Sequence, residues 1–381
     1  MSIAELSPIP HEHAATESRP LRVCHVSLTL KTGGLERLLA DIARHHDAAH
    51  CRPEFLALTD VGRFADVIRD AGCRVHTLTP SGRFGQMRQM VRLFHAGRFD
   101  VVHTHNTYPH IYGSIAARLA HVPVVVNTRH GQRAGHGWKS RTQFRWASRL
   151  VDRIIAVSDD AAQLCVHADG VLPCKVMRVW NGIDVEDFQF TGPVTAPVAI
   201  SVARLSAEKD FPTLLHAVSI AVRDVPDLVL KLVGDGPERS RLEQLTRELN
   251  LTRQVEFLGD RSDVPALLAS AGFFVTASLT EGISLTLLEA MAVGLPVIAT
   301  SVGGNSEIVD APRTGQLVPP GDAAGLAAAM VAMCRQPDRW RAIGQAGRER
   351  VEEHFEVRRM VSDYERLYRE LLANKICRHE Q

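Results

Sequence analysis

Two glutamates flanking seven residues, Glu281 and Glu289, stand in the segment TEGISLTLLEAMAVGLPVIATSVGGNSEIV. Glu281 precedes a helical run, where its carboxylate can accept hydrogen bonds from sugar hydroxyls. Glu289 lies more than a turn inside, amid LTLLEAMAV, where an unpaired carboxylate is costly; it needs a partner, and ligand hydroxyls would serve. Between them the amides of Gly282, Ile283, Ser284 and Leu285 open a helix N-terminus, which favours an anion. Upstream, SVARLSAEKD carries Arg204 and Lys209 across a strand-to-helix loop. Two cations so placed can grip a pyrophosphate and neutralise the charge that grows as it leaves. Gly234-Asp235-Gly236-Pro237 follows the next strand as a sharp turn near the same edge.

The first half offers less specific groups. In KTGGLERLL, Gly33 and Gly34 sit between a strand and a helix, where bare amides can approach a phosphate; a plain tight turn has the same sequence. Gly-x-Gly-x-x-Gly is absent, which disfavours a dinucleotide-dependent dehydrogenase. One strand ends in His103-Thr104-His105-Asn106, and strand alternation puts the two histidines on one face near the rim. His103 reads as a satisfied structural histidine, and His105 and Asn106 as acceptor-side residues. His130, which ends the next strand and precedes a glycine, is better placed to face a crevice. A metal reading of the histidines needs a third ligand and usually a carboxylate, so no metal is expected.

Elements able to position these groups follow from the pattern of the chain. LRVCHVSLTL, PEFLAL, CRVHTL, DVVHTHN, PVVVNTRH and RIIAVS are short β-branched runs, apolar nearly throughout, as strands of a parallel sheet covered on both faces are. Amphipathic segments such as GLERLLADIARHH, GRFADVIRDAG and YGSIAARLAHV alternate with them. PVAISVARL, LVLKLVGDG, QVEFLGD, FFVTAS and PVIATSV repeat the scheme in the second half. The alternation predicts two doubly wound α/β units. The pattern breaks at TGPVTAP, residues 191–197, and turns helical to the end after Pro337. A flexible leader over 1–20, a first domain over 21–190, a second over 191–355 and a C-terminal helix over 356–381 are therefore expected. The apolar stretch Val264–Thr280 contains Pro265 and Gly272 and reads as a short helix plus a buried strand, not as a membrane span.

A length of 381 residues suits two cores. The formal charge of +1 argues against a protein that coats nucleic acid. It conceals an asymmetry: residues 1–190 carry net +5 and the remainder net −4. Seven scattered cysteines without a Cys-x-x-Cys pair fit neither a disulfide framework nor a thiolate zinc site. The N-terminal segment lacks the apolar block of an export signal, so a cytoplasmic protein is expected. Two basic stretches stand out. Residues 81–98 hold Arg83, Arg88, Arg92 and Arg98 with no acid, and residues 129–153 hold seven Lys or Arg against one acid, interleaved with Trp138, Phe144 and Trp146. Such a surface can rest on anionic lipid at the inner face of the plasma membrane.

With these motifs in hand, the chain resembles the retaining, nucleotide-sugar-dependent glycosyltransferases of family 4, from about Leu21 to Leu372. The resemblance is most specific over 200–310, through ISVARLSAEKD, LVGDGPERSRLE, the paired glutamates and GLPVIATSVGG. It implies the GT-B fold, two Rossmann-like domains facing each other across a cleft, with the C-terminal helix returning to the first. It further implies a nucleoside-diphosphate sugar as donor substrate, no cofactor, and a glycan or lipid-linked acceptor. Carried over residue by residue, Arg204 and Lys209 would hold the distal donor phosphate, with Gly34 closing from the other domain. Glu281 would bind the transferred sugar, Glu289 the ribose, His130 the donor sugar or its phosphate, and Arg261 would border the base. Ile283-Ser284 replaces the aromatic-Gly pair common after Glu-Gly, and Ser306 replaces a common proline. A sugar-nucleotide epimerase of the same fold and a silent nucleotide-sugar-binding subunit are the alternative readings.

Overall fold

A computed structural model describes residues 19–31, 33–131 and 138–379. The expected leader lies outside this range except for its last two residues, as do residues 132–137 and the side chain of Trp138 in the second basic stretch.

The first half runs β1 (Leu21–Ser27), α1 (Gly34–His45), β2 (Cys51–Ala57), α2 (Arg63–Asp70), β3 (Arg74–Thr77) and α3 (Arg83–Gly97). It continues with β4 (Val101–His105), α4 (Thr107–Leu119), β5 (Val124–Arg129), α5 (Trp138–Ala147), β6 (Arg153–Ala156), α6 (Asp159–His167) and β7 (Val176–Arg178). The second half begins β8 (Val198–Val202), α7 (Phe211–Ala221), β9 (Val229–Val233), α8 (Arg239–Glu248), β10 (Val255–Gly259) and α9 (Val264–Ala269). β11 (Phe273–Thr276), α10 (Leu285–Val293), β12 (Val297–Thr300), α11 (Asn305–Ile308) and β13 (Gly315–Val318) follow. The chain closes with α12 (Ala323–Cys334), α13 (Trp340–His354) and α14 (Val357–His379).

All strands in both sheets pair in parallel. The first sheet has the order β3-β2-β1-β4-β5-β6-β7 and the second β10-β9-β8-β11-β12-β13. Every residue of β4 and β5 is buried, the polar His103, Thr104, His105, Asn127, Thr128 and Arg129 included, because helices cover both faces of a parallel sheet. Residues 264–280 resolve into α9 and β11, as their proline and glycine predict. The short edge strands β7 and β13, VMR and GQLV, escape the sequence pattern. Three or four half-buried residues are too few to set a period.

Helices α1, α2 and α14 cover one face of the first sheet. Helix α14 delivers Val357, Met360, Val361, Tyr364, Leu367, Tyr368 and Leu371 to that core, so the C-terminal helix does return to the first domain. The chain crosses between domains twice at one place, where Ile183 bridges Glu356. In each sheet the strand order reverses beside the first strand, between β1 and β4 and between β8 and β11. Ligands of doubly wound sheets bind outside the carboxyl ends of strands at such a switch point. The loops after β1, β4, β5, β8 and β11 carry the glycine pair, Asn106, His130, Arg204, Lys209 and Glu281; Gly234 and Arg261 follow β9 and β10, His103 and His105 lie within β4, and Glu289 lies on α10.

Candidate active site

The donor-side groups come from the loops that follow β8, β9 and β11. Gly234 ends β9 at φ +129°, pressed so close to the Ala203 carbonyl that a Cβ would overlap it; Gly236 packs likewise on Leu205. These two glycines let the β9 turn brace the loop that bears Arg204. Arg204 itself is exposed; burial pushes the nearby Glu208 carboxyl up, but the Ser206 hydroxyl and a backbone amide, helped less by Lys209 and Arg204, hold it below its ordinary value. Lys209 reaches back across the loop, and its Nζ donates to Glu281 Oε1 at 2.6 Å. Ser278 Oγ donates to the same oxygen at 2.7 Å. Glu281 Oε2 has no hydrogen-bond partner among the described residues and is left to accept from a ligand. Lys209 and Glu281 thus form one unit, which their sequence positions do not reveal.

Ser284 caps α10 without a side-chain bond to the helix amides, so the first-turn N–H groups of Leu285 and its neighbours point out of the helix end. Ile283 is buried under α10. Gly282 packs against the first domain: a Cβ there would overlap the His130 carbonyl oxygen. Leu285 lies opposite Gly34, the first residue of α1, and Gly33 precedes it at φ +151°. The glycine loop, the end of β5 and the N-terminus of α10 therefore meet across the cleft. Arg261 stands apart from this group, exposed and held in a two-pronged pair by Asp263 at 2.6 and 2.7 Å.

Asn106 adopts φ +63° and its Oδ1 accepts from the His130 amide at 3.1 Å. His105 requires a correction. It is 1% exposed, and both ring nitrogens are engaged, Nδ1 with His130 Nε2 and Nε2 with His25 Nδ1, each at 3.0 Å. Strand alternation turns it inward behind His130, so it offers no face to an acceptor, and Asn106 alone remains at that rim. His103 is the structural histidine expected, bonded to the Tyr368 hydroxyl at 2.5 Å and to Thr128 Oγ1 at 2.6 Å.

Glu289 finds a partner that the sequence does not suggest. Arg37, one turn into α1 of the other domain, donates from a terminal nitrogen to Glu289 Oε1 at 2.7 Å. Asp41 and Asp187 flank Arg37 at 3.9 and 3.8 Å, and its guanidinium lies over the Phe188 ring. Burial still wins: it pushes the Glu289 carboxyl up to about 7 against the pull of Arg37. A second cross-cleft bond set joins Glu307, after GGNS, to the Asp159 amide and Trp180 Nε1, both at 2.7 Å.

These features match known proteins in two pieces. Residues 32–187 fit the model of Glycosyltransferase Family 4, and residues 183–350 fit that of Glycosyl transferases group 1. The N-acetyl-alpha-D-glucosaminyl L-malate synthase of Bacillus anthracis is 30% identical over 306 residues, covering 75% of this chain and 78% of that enzyme. The chain is a family 4 glycosyltransferase. A second relative is the UDP-Gal:alpha-D-GlcNAc-diphosphoundecaprenol alpha-1,3-galactosyltransferase of Escherichia coli, 29% identical over 308 residues, or 75% of this chain and 79% of that one. Anabaena HepE, solved with UDP and glucose, shares the fold at a TM-score of 0.79 and 23% identity, over 90% of this chain and 98% of its own.

Within this glycosyltransferase, the residues that sequence reasoning missed are partners of the ones it found. Arg37, Ser278 and His25 carry no motif of their own, Glu307 ends the GGNSE stretch without showing its partner, and the Arg37–Glu289 contact spans 252 positions. A third potential metal ligand does appear: His25 joins His103 and His105, and this is the one such cluster among the described residues. It fits a metal poorly. The ligand nitrogens do lie within 4.8 Å of one another, but both nitrogens of His103 are spent on hydroxyls, both of His105 on other imidazoles, and no carboxylate among the described residues joins the group.

Proposed function

We propose that the chain transfers a sugar from a uridine-diphosphate sugar to a hydroxyl of a glycan or lipid-linked acceptor, with retention at the anomeric carbon and without a metal. One observation carries this reading: Lys209 and Ser278 both bond Oε1 of Glu281, at 2.6 and 2.7 Å, while its Oε2 has no partner among the described residues, which supports Glu281 as the group that accepts from the sugar. UDP-galactose, the donor of one relative, and UDP with glucose, bound by a protein of the same fold, favour a uridine nucleotide.

In the proposed reaction the bond between the anomeric carbon and the phosphate oxygen breaks towards an oxocarbenium-like state. The acceptor oxygen attacks from the same face, and the leaving phosphate takes its proton. Arg204, Lys209 and the α10 amides hold the phosphate as its charge grows, a preorganised field that needs no protein base. Glu281 fixes the sugar hydroxyls, Glu289 the ribose, and His130 with Gly34 closes the opposite wall. No Asp-x-Asp sequence occurs to carry a divalent ion. Incubating the protein with UDP- and GDP-sugars and a panel of polyprenyl-linked and free glycan acceptors tests the reading. A new glycosidic bond of the donor's anomeric configuration, formed in the presence of a chelator, supports it; an inverted product, or binding with neither transfer nor hydrolysis, overturns it.

We infer in addition that the first domain rests on anionic membrane. No helix among the described residues is long and apolar enough to cross one. Phe84, 76% exposed at the start of α3, and Trp146, 49% exposed on α5, stand beside the exposed arginines 83, 88, 92 and 145. Co-sedimentation with anionic vesicles at low salt, lost at high salt, is expected. Equal recovery in the supernatant from anionic and neutral vesicles at low salt would remove the inference.

A further inference from the structure

The least expected construction in the molecule is a file of imidazoles running inward from the cleft. It starts at His130, which ends the strand facing Gly282, passes through His105 on β4 and ends at His25 on β1, with two nitrogen–nitrogen contacts of 3.0 Å. Register explains the file. His25 pairs with His103 and His105 with Thr128 across adjacent parallel strands, so rings of one face fall side by side. The rings of His25 and His105 stack at 5.3 Å, and Phe55 lies flat on the other side of His25. His103 packs beside them without joining, since its nitrogens are held by Tyr368 and Thr128.

Burial keeps the three rings of the file neutral: His25 and His130 are each pushed down to about 3, and His105 falls well below its ordinary value. A neutral imidazole has one N–H and one bare nitrogen, and each contact needs one proton. Only two arrangements satisfy both contacts. In one, every Nδ1 carries the proton, and His130 presents Nδ1–H. In the other, every Nε2 carries it, and His130 presents a bare Nδ1. That Nδ1 is buried and has no partner among the described residues. At the far end, His25 lines a small crevice with His46, Tyr364 and Glu365, between the end of α1 and α14. The nitrogen that bears the proton at the cleft is thus coupled to a ring two strands away.

We propose that His25, acting through His105, is a positioning residue that fixes His130 with its proton on Nδ1, as a hydrogen-bond donor to a phosphate oxygen of the bound donor substrate. The direction follows from the ligand, and for that it rests on the reading of the cleft as a nucleoside-diphosphate sugar site. A phosphate oxygen accepts and never donates, so a bare Nδ1 would repel it. A lone histidine could re-choose its tautomer at each encounter; a file of three must move both shared protons together. Fixing an imidazole's tautomer from behind is a general device for ring groups that meet a ligand.

The test is the nitrogen-15 spectrum of the ligand-free protein labelled at histidine, near neutral pH, with the signals assigned through single substitutions. His25, His105 and His130 are expected to show the same tautomer, protonated at Nδ1. His25→Phe keeps the aromatic packing against Phe55 but removes the donor to His105. It should lower thermal stability, since a buried His105 nitrogen loses its partner, convert His130 to a mixed tautomer in the protein that remains folded, and lower kcat/KM for the donor sugar by about tenfold or more. His25→Asn puts an amide N–H where Nδ1–H stood and should restore both the single tautomer and most of the rate. Opposite tautomers at His25 and His130 in the wild type would overturn the proposal, as would a His130 signal indifferent to His25→Phe. Should the tautomers agree while UDP leaves the His130 signals unmoved, the file stands and the placement of the donor beside His130 is what fails.

Discussion

Replacing Glu289 by glutamine is expected to stabilise the ligand-free protein in alkali and to do almost nothing in mild acid. Glu289 is 3% exposed on a helix whose residues from Leu287 to Val293 are all buried. Burial lifts its pKa from an ordinary 4.5 to about 7 despite Arg37. A carboxyl raised in the folded state binds its proton more tightly there than in the unfolded chain. Its contribution to stability is therefore full below about pH 4.5 and is lost as pH rises towards and through 7. With roughly 1.4 kcal/mol per unit, the charged group costs under about 1 kcal/mol near pH 5 and about 3 kcal/mol near pH 8.5. Glutamine keeps the shape and an oxygen for Arg37 but never ionises, so it escapes that growing cost. Asp41, itself raised to about 6 by burial, stays in both proteins and largely cancels in the comparison. Unfolding by denaturant across this pH range gives the difference directly, the variant gaining about 2–3 kcal/mol on wild type between the two ends. Parallel pH profiles for the two proteins would refute the reasoning, because they would mean that Arg37 keeps Glu289 ionised at little cost throughout.

Glu281→Ala is expected to reduce sugar transfer far more than UDP binding, whereas Glu289→Ala weakens binding of UDP itself; equal losses in calorimetric titration would show the roles wrongly divided. Arg204→Ala and Lys209→Ala should each cost about 3–4 kcal/mol in the transition state, roughly 10²–10³ in turnover at saturating donor, and the double variant less than the sum because both cations face one anion. Arg204→Lys should not restore full activity, since a point charge lacks the planar, two-pronged grip; a Lys209→Ala enzyme within about threefold of wild type would reduce that lysine to a loop charge. Gly282→Ala should hold the domains apart at His130 and lower turnover while the separate cores keep their stability, and unchanged kinetics would mean that this contact is not made during catalysis.

The two-sheet architecture is legible because both sheets are parallel and covered on each face, so VVHTH and VVVNTR announce themselves as buried strands. VMR and GQLV do not, being short and half-exposed. Of the candidate site, the placement is legible: Glu281, Lys209, Arg204 and the glycine turns all stand on loops at strand ends, where doubly wound sheets bind ligands. Pairings are another matter. Lys209 and Glu281 are 72 positions apart, and nothing local says that one oxygen of Glu281 is already taken. His105 shows why a face is not an environment. Its alternation with His103 is correct, yet the shared face lies against β1 and α14, so the residue is buried instead of lining the acceptor rim. Arg37 has the same lesson in reverse, since a solvated helix arginine and a cross-cleft partner look alike in GLERLL.

The way Arg37 meets Glu289 bears on how closure and nucleotide binding combine. The guanidinium uses Oε1 alone, and Oε2 has no partner among the described residues, so one carboxylate can serve the domain contact and a ribose hydroxyl together. A hydroxyl donating to Oε2 favours the ionised form that burial alone disfavours, and an ionised Glu289 attracts Arg37 more strongly than a protonated one. If Glu289 holds the ribose as proposed, ribose and Arg37 would assist each other through a proton that leaves Glu289. Linkage makes the assistance mutual: whatever the ribose adds to the Arg37 contact, that contact adds to the affinity for the nucleotide. A carboxylate shared in this way is worth its burial in a helix that could have been wholly apolar, because a leucine at the same place would pack as well and would leave the two domains indifferent to what lies between them.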